Sequence, residues 1–499
     1  MPTLYPILSR RARRFPALRP RPVLLAGGLA VLLGACAIEP PDVAVPIPTA
    51  YRAQRSGPTE VVREDWARGF GSAELERLVA GALADNLDIA AALARIQQAQ
   101  AQSVVTSSAL FPTISGSADA SRQRSSTAGR SSSGTSSSGT AFNTYQLGLD
   151  ASYNLDLFGR NRFAALAAGD RARATRYDRD NIALSTVASV ANTYFNVLSA
   201  QDRLRIARDN VAIAQRVLDA ERGRLSVGTA TALDVAQQES VVATQRATIP
   251  TLEQQVQQNR NTLAVLVGRT PESVSIKGGS LDALRIPRVV PGLPAELLLR
   301  RPDIAEQEAY LESASASVAS ARAAFFPSIQ LTASTGFQST ALKSLLGPSG
   351  LFYSVAAGLT QPIIDGYALQ GQLDLEKGRA AEYAATYRKA IIQAFTDVEN
   401  ALVAVQQNSE RERLQREAVA AARRALDITE QRLREGTIDL VTLFTTQTTL
   451  FTNQDTLAQV RLARFQAIVS LYQALGGGWS QARAVPRRAA ITEVSVSVP

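Results

Sequence analysis

Between Thr144 and Leu157 apolar and polar residues alternate without a break. Tyr145, Leu147, Leu149, Ala151, Tyr153, Leu155 and Leu157 take one parity, and Thr144, Gln146, Gly148, Asp150, Ser152, Asn154 and Asp156 take the other. A period of two places the apolar set on one side of a strand, a pattern no helix face can use. Ile329, Leu331, Ala333, Thr335 and Phe337 alternate in the same way with Ser328, Gln330, Thr332, Ser334 and Gly336. Residues 113–121 repeat the pattern with smaller side chains, and 353–363 do so less cleanly. The chain therefore predicts four strands of about ten residues, longer than the ~5–6 usual in globular sheets. They match the ~9–11 residues of a tilted outer-membrane strand, with tyrosine and phenylalanine near the ends as interfacial anchors. A soluble β-sandwich would need several more strands.

Elsewhere the spacing changes to three and four. Arg160 to Val227 and Tyr367 to Glu435 run without a proline, and at 1.5 Å per residue each helix would reach ~100 Å. Leu184, Val187, Ala191, Tyr194 and Leu198 mark one seam, Leu204, Ala207, Val211, Ala214 and Leu218 the next, and Ile391, Phe395, Val398, Leu402 and Val405 another. Sustained 3-4 spacing with many small residues reads as coiled-coil packing. A soluble coiled coil would account for these helices and leave the strands unexplained.

The chain also repeats itself. Asp88-Ile89-Ala90 recurs as Asp303-Ile304-Ala305, and Phe111-Pro112-Thr113-Ile114 as Phe326-Pro327-Ser328-Ile329, both displaced by 215. Arg224-Leu225-Ser226-Val227-Gly228-Thr229 recurs as Arg432-Leu433-Arg434-Glu435-Gly436-Thr437, displaced by 208. Landmarks kept in order at a nearly fixed period mean two copies of one structural unit. Each copy predicts a helical run (73–110 and 294–325), two strands around a polar loop, and two long helices joined by a Gly-Thr turn. In the second copy Arg301-Pro302-Asp303 forms the helix start, with Pro302 at the first helical position and Asp303 in the first turn.

Composition narrows the chemistry. Among 499 residues there is no histidine and only one cysteine. No His/Cys metal site, catalytic triad or disulfide framework can be built within the chain. No paired carboxylates suggest acid/base work and no P-loop follows a strand, so neither an enzyme nor a cofactor is expected. The formal charge of +9 is concentrated at the start: Arg10, Arg11, Arg13, Arg14, Arg19 and Arg21 lie in a segment without lysine or acid, and the rest of the chain carries +3. That leaves no dense basic footprint for nucleic acid.

This leader precedes an apolar run, Val23 to Ala35, too short for the ~20 residues of a membrane span and of the right length for a signal-peptide core. It ends Leu33-Gly34-Ala35-Cys36. The ending resembles the bacterial lipobox, in which the cysteine is acylated and becomes the new N-terminus; the alternative is a core cysteine behind an uncleaved helix. Ala37 follows, not the aspartate that in lipoproteins tends to hold the product at the inner membrane. The expected organisation is a signal peptide at 1–35, a lipid-anchored segment at 36–72, repeats at 73–290 and 291–478, and a tail at 479–499.

Four strands cannot close a membrane barrel, since lipid satisfies no open edge and the smallest barrels use about eight strands. Three identical subunits in a ring would supply twelve. Their polar sides would line an aqueous lumen, where Asp150, Asn154 and Asp156 either bias ion passage or only hydrate the wall. The loops at 122–142 and 338–350 would face the cell exterior. The expected fold is mixed α and β: a trimeric twelve-stranded outer-membrane barrel continued by a long periplasmic helical barrel.

From about Trp66 to Trp479 the duplicated plan, the Arg301-Pro302-Asp303-Ile304 helix start, the Phe-Pro-x-Ile strand starts and the Gly-Thr tips resemble outer-membrane efflux channels of the TolC/OprM type. With Cys36 the chain is most similar to the NodT-like lipoprotein branch. The resemblance implies a homotrimeric, passive export duct for small toxic compounds, docked to a periplasmic adaptor and an inner-membrane pump that supplies the energy. A duct for one-step protein secretion would share the whole fold, and a non-conducting lipoprotein scaffold is the remaining alternative. The resemblance also implies that the tips meet the adaptor and close the channel. Gly228, Thr229, Gly436 and Thr437 are then adaptor-contact candidates, and Asp234, Asp439, Arg432 and Arg434 gate candidates. Each acid has a plainer reading as a helix cap, and each arginine as a solvated helix-end charge. Thr445 stands where relatives often carry an aspartate.

Overall fold

The computed structural model describes residues 43–53, 63, 65–124, 141–289 and 291–479. Cys36, most of the first strand-pair loop and the tail beyond Trp479 lie outside them. The first helical run is two helices, α1 (Ala73–Asp85) and α2 (Leu87–Ser107), not one. Asn86 divides them: its side-chain Oδ1 accepts from the amides of Asp88 (2.9 Å) and Ile89 (3.1 Å), so an extended residue caps the second helix and ends the first.

The strands are β1 (Thr113–Arg124), β2 (Ala141–Leu155), β3 (Ser328–Ser339) and β4 (Leu351–Thr360), forming one antiparallel sheet in the order β1-β2-β3-β4. Its register aligns the alternation seen in sequence. Leu149 lies opposite Gly116 and Thr335, Ala151 opposite Ile114 and Ala333, and Ala333 in turn opposite Val355. One face is therefore apolar across all four strands up to the loop ends of β1 and β2, where Arg122, Arg124 and Asn143 stand on it, and the described chain leaves it bare: Tyr353 is 82% exposed and Val355 81%. The other face carries Ser115, Ser117, Asp119, Gln146, Asp150, Ser152, Gln330 and Ser334. Asp156 is not part of it. β2 ends at Leu155, and the Asp156 carboxylate accepts from the amides of Asn161 (3.1 Å) and Arg162 (2.8 Å), opening the helix that follows.

That helix, α3 (Arg160–Ser226), and its counterpart α6 (Ala368–Arg434) are each 67 residues long. Their returning partners, α4 (Ala232–Leu266) and α7 (Leu440–Ala474), are each 35. The second repeat opens with α5 (Pro302–Ala323). The duplication holds in atomic detail. Gly268 after α4 and Gly476 after α7 both take positive φ, and a Cβ on either would collide with a backbone carbonyl, that of Asp85 at 2.0 Å and of Arg300 at 1.9 Å. Only glycine permits both the conformation and the approach.

The core is sewn from both repeats. Trp66 stacks on Tyr472 (4.8 Å), and Phe70 meets Phe195 (5.0 Å), which meets Phe465 (5.1 Å). The upper α3 seam at Val187, Ala191, Tyr194 and Leu198 is buried as its spacing predicts. Lower down, Ala207, Ala214 and Leu218 of the expected seam are buried, while Leu204 and Val211 are only half-buried. Asn210, Val217 and Glu221 are buried beside them, so two polar residues enter the packed stripe. No described helix is long and apolar enough to cross a membrane.

Candidate functional site

Each long hairpin ends in a glycine turn. At the first tip Gly228 has φ 75°, and the amides of Gly228 and Thr229 return to the carbonyls of Leu225 (3.0 Å) and Arg224 (2.9 Å). At the second, Gly436 has φ 72°, and Gly436 and Thr437 bond Leu433 (3.0 Å) and Arg432 (3.0 Å). The threonine hydroxyls add a second bond to the same arginine carbonyls, 3.1 Å in each case. Left-handed glycine closes orphan carbonyls at a helix end, so these four residues build the turns. The surfaces around them are apolar and solvent-facing: Val227 is 73% exposed, Leu233 64% and Val441 59%.

The acids near the turns cap helices. The Asp234 carboxylate accepts from the amide and the hydroxyl of Thr231, both at 2.8 Å, while the Asp234 amide donates to that hydroxyl, a complete capping box. Those bonds, the amide first, hold the Asp234 carboxyl below its ordinary range. Asp439 caps α7, accepting from the hydroxyl (2.5 Å) and the amide (2.9 Å) of Thr442, which depress it likewise. Both carboxylates stay ionised and exposed at the tips. Thr445 bonds its own helix at the Val441 carbonyl (3.0 Å).

The arginines differ between the copies. Arg224 donates to both oxygens of Glu221 (3.0 and 3.2 Å), a carboxylate 1% exposed, and to the Thr229 carbonyl (3.2 Å), so it straps its own turn. Arg432 occupies the matching place in the second copy, where Thr429 replaces Glu221, and its guanidinium makes no hydrogen bond or ion pair among the described residues. Arg434 is tied to the Glu430 carbonyl (3.2 Å). The Glu221 clasp went unrecognised in the sequence, although comparing Glu221 with Thr429 across the offset of 208 would have marked it. Among the described residues no cluster of His, Cys, Asp or Glu could hold a metal.

The helix-start motif lies far from the tips and acts as a clamp. Arg301 chelates Asp303 (2.9 and 2.6 Å) and reaches Asp397 of α6 (3.1 Å) and the Ala474 carbonyl at the end of α7 (3.3 Å). In the first copy Asn86 takes this position and donates to the Leu266 carbonyl at the end of α4 (2.8 Å). Beside the clamp the N-terminal segment docks. Tyr51 is buried among Leu297, Ile304, Ile391 and Val398, and that burial raises its hydroxyl pKa to about 12. The amides of Arg52 and Ala53 donate to Glu399 at 3.2 and 2.9 Å.

A sheet with one bare apolar face and one polar face, continued by paired helices ~100 Å long, is the architecture of an outer-membrane export channel with a periplasmic extension. The profile of the outer membrane efflux protein family matches residues 78–269 and 293–477, one block in each repeat, and the chain belongs to that family. It is an outer-membrane channel of a Gram-negative efflux system. The pyoverdine export outer membrane protein OpmQ of Pseudomonas aeruginosa is 39% identical over 459 residues, 91% of this chain and 96% of the relative. The toluene efflux pump outer membrane protein TtgC of Pseudomonas putida is 32% identical, with 90% and 94% covered. Among solved structures, the outer-membrane channel OprN superposes with a TM-score of 0.83 at 26% identity, covering 89% of this chain and all of that one.

Proposed function

We propose that this protein is the passive outer duct of a tripartite efflux system. Three copies close a twelve-stranded barrel, and the six hairpin tips meet a periplasmic adaptor served by an inner-membrane pump. The observation that carries this reading is the four-stranded sheet itself, apolar across one whole face and unpaired at both β1 and β4. Hydrocarbon accepts such a face and forbids such edges, so the edges must find each other in a ring. The exposed Val227, Leu233 and Val441 beside Gly228, Thr229, Gly436 and Thr437 provide apolar contact area for the adaptor. Arg432, with no partner among the described residues, is placed to meet an acid across a subunit boundary, and Asp234 and Asp439 keep charge at the aperture. No chemistry is assigned to the chain; it conducts.

Acylation of Cys36 fits the docking of the N-terminal segment. The stretch from Cys36 to Tyr51 can extend to roughly 50 Å. The run of α6 from its barrel end to Ala394, against which Tyr51 packs, is roughly 39 Å at 1.5 Å per residue. The anchor can therefore reach the inner leaflet of the outer membrane. The repeats at 73–290 and 291–478 serve as the units of the duct. The cargo is a small molecule, and the pyoverdine in the name of OpmQ gives the first compound to test.

The test is single-channel conductance of the purified protein in a planar bilayer, with its mass in detergent from the same sample. A trimer with a low-conductance, openable pore is expected. A monomer or a pore-free oligomer would return the chain to the scaffold reading. A deletion strain that loses a secreted protein, with normal pyoverdine release and unchanged sensitivity to toxic compounds, would favour one-step protein secretion.

A further inference from the structure

The second hairpin copies the first at an offset of 208, so that α3 and α4 map onto α6 and α7 end for end. Two residues break the copy. Asn210 of α3 corresponds to Ala418, and Pro250 of α4 to Ala458. Both departures fall at one cleft of about 670 Å³ between α3, α4 and α7. Asn210 lines it, and Pro250 sits between two lining residues, Thr248 and Thr251. Proline brings no amide hydrogen to its helix, so α4 passes the cleft with one rung of its ladder missing.

The lining is divided by chemistry. α3 supplies a buried floor, Ala207 and Asn210, while Thr248 and Thr251 of α4 and Thr452 of α7 stand exposed at the rim. Leu252 and Phe451 add an apolar side chain from each wall. Asn210 is 3% exposed, yet its Oδ1 has no hydrogen-bond partner among the described residues. A buried acceptor of this kind calls for a donor from outside the helices. The two charges that line the cleft satisfy each other. Arg203 donates to both oxygens of Asp455 at 2.6 and 3.2 Å, and Gln459 donates to the same carboxylate at 2.6 Å. The volume lies within the ~300–1,000 Å³ of small-molecule sites, which combine apolar walls with a few fixed polar groups.

We propose that this cleft binds an uncharged hydroxylated aromatic molecule, its ring against Phe451 and Leu252 and its hydroxyl donating to Asn210 Oδ1. A charged ligand would give up hydration without gaining a counter-ion, because Arg203 and Asp455 are already paired. A wholly apolar ligand would leave Asn210 unmet. The binding itself needs only one chain. Its consequence rests on the duct reading: a molecule touching α3, α4 and α7 joins the two hairpins and favours the arrangement of tips in which it binds.

The experiment is saturation-transfer NMR on the full-length protein purified in detergent, with protein-free micelles as the blank. Paracetamol is the probe and para-acetamidobenzoate its anionic counterpart. Paracetamol is expected to bind with a dissociation constant in the millimolar range or below, as its size allows, and the anion about tenfold more weakly. Asn210→Leu is expected to weaken paracetamol about tenfold with the mass in detergent unchanged. Thr452→Trp, at the exposed rim, is expected to block entry with Asn210 in place, and it decides the matter if Asn210→Leu does not fold. No transfer to paracetamol in the unmodified protein would overturn the site and leave Asn210 to water. Equal transfer to both compounds would overturn it too, as would binding that survives both substitutions. In a planar bilayer, saturating paracetamol is expected to lengthen closed dwell times. Unchanged dwell times with binding intact would overturn the link between the hairpins. A protein with no conductance at all would instead end the duct reading, and the binding result would stand.

Discussion

Arg432 and Arg224 are the same residue in two copies of one hairpin, and they do different work. Arg224 is paired within its own turn by buried Glu221, whereas Thr429 stands in place of that acid in the second copy and the Arg432 guanidinium has no partner among the described residues. Arg432→Ala is therefore expected to raise resting conductance while leaving the thermal midpoint unchanged. Asp234→Ala, which strips a capping box from α4, is expected to lower the midpoint. Conductance identical to wild type in Arg432→Ala would remove that residue from the gate. A second residue-scale consequence concerns pH. Burial first, then the nearby charges of Asp178 and Asp303, push Glu306 of α5 up to about 7. A carboxyl raised above its unfolded value stabilises the fold fully below about 4.5 and loses that contribution as pH rises through about 7. Glu306→Gln should thus raise the midpoint at pH 8, by an amount on the order of 1 kcal/mol after screening by partial exposure, and change little at pH 4. An equal effect at both values would show that the charge is not the cause. The caps were legible in the sequence because the capping box is a local grammar. Glu221 and Glu306 were not, since burial is decided by helices that arrive from elsewhere in the chain.

Strands and long helices were readable because each has a period that survives over many residues. The strand parity and the limits of α3 and α6 follow the sequence to within a few residues. What periodicity did not reveal was polarity inside the seams. Gln238 and Gln447 are both fully buried, one near the tip of each hairpin. Gln238 donates to the Ala214 carbonyl at 2.8 Å, while neither amide atom of Gln447 has a partner among the described residues. A buried amide without partners costs roughly 1–3 kcal/mol, so Gln447→Leu is expected to raise the thermal midpoint and lengthen closed dwell times. A lower midpoint would mean that the amide is satisfied in the assembled protein. α4 differs from α7 in another way. It contains Pro250, which removes a helical donor, where α7 has Ala458, and beside it a cleft of about 670 Å³ opens toward α7.

For the whole molecule, the four-strand count legible in the sequence already calls for a ring, because a fraction of a barrel has no other way to satisfy its edges. The polar face of the described sheet carries two charges, Asp119 and Asp150, both negative. Three copies present six carboxylates to the lumen and no cation from the described strands, so the barrel should prefer cations. Asp119→Asn combined with Asp150→Asn is expected to shift the reversal potential in a salt gradient toward zero without altering trimer mass. An unchanged reversal potential would place selectivity elsewhere along the duct.

The docking of Tyr51, Arg52 and Ala53 onto α6 sets a condition on folding. The amide of Arg52 bonds a carboxylate 347 positions later in the chain, and Trp66 stacks on Tyr472. The aromatic core draws on both repeats, and the contacts that finish the fold join the first residues to the last helices. Such high contact order makes folding late and slow. A chain emerging at the outer face of the inner membrane must therefore wait, unfinished and exposed to proteases and chaperones, until its final helix has been delivered. Only then can it offer the two strand edges that seek other copies, so completion of one polypeptide comes before recognition of the next.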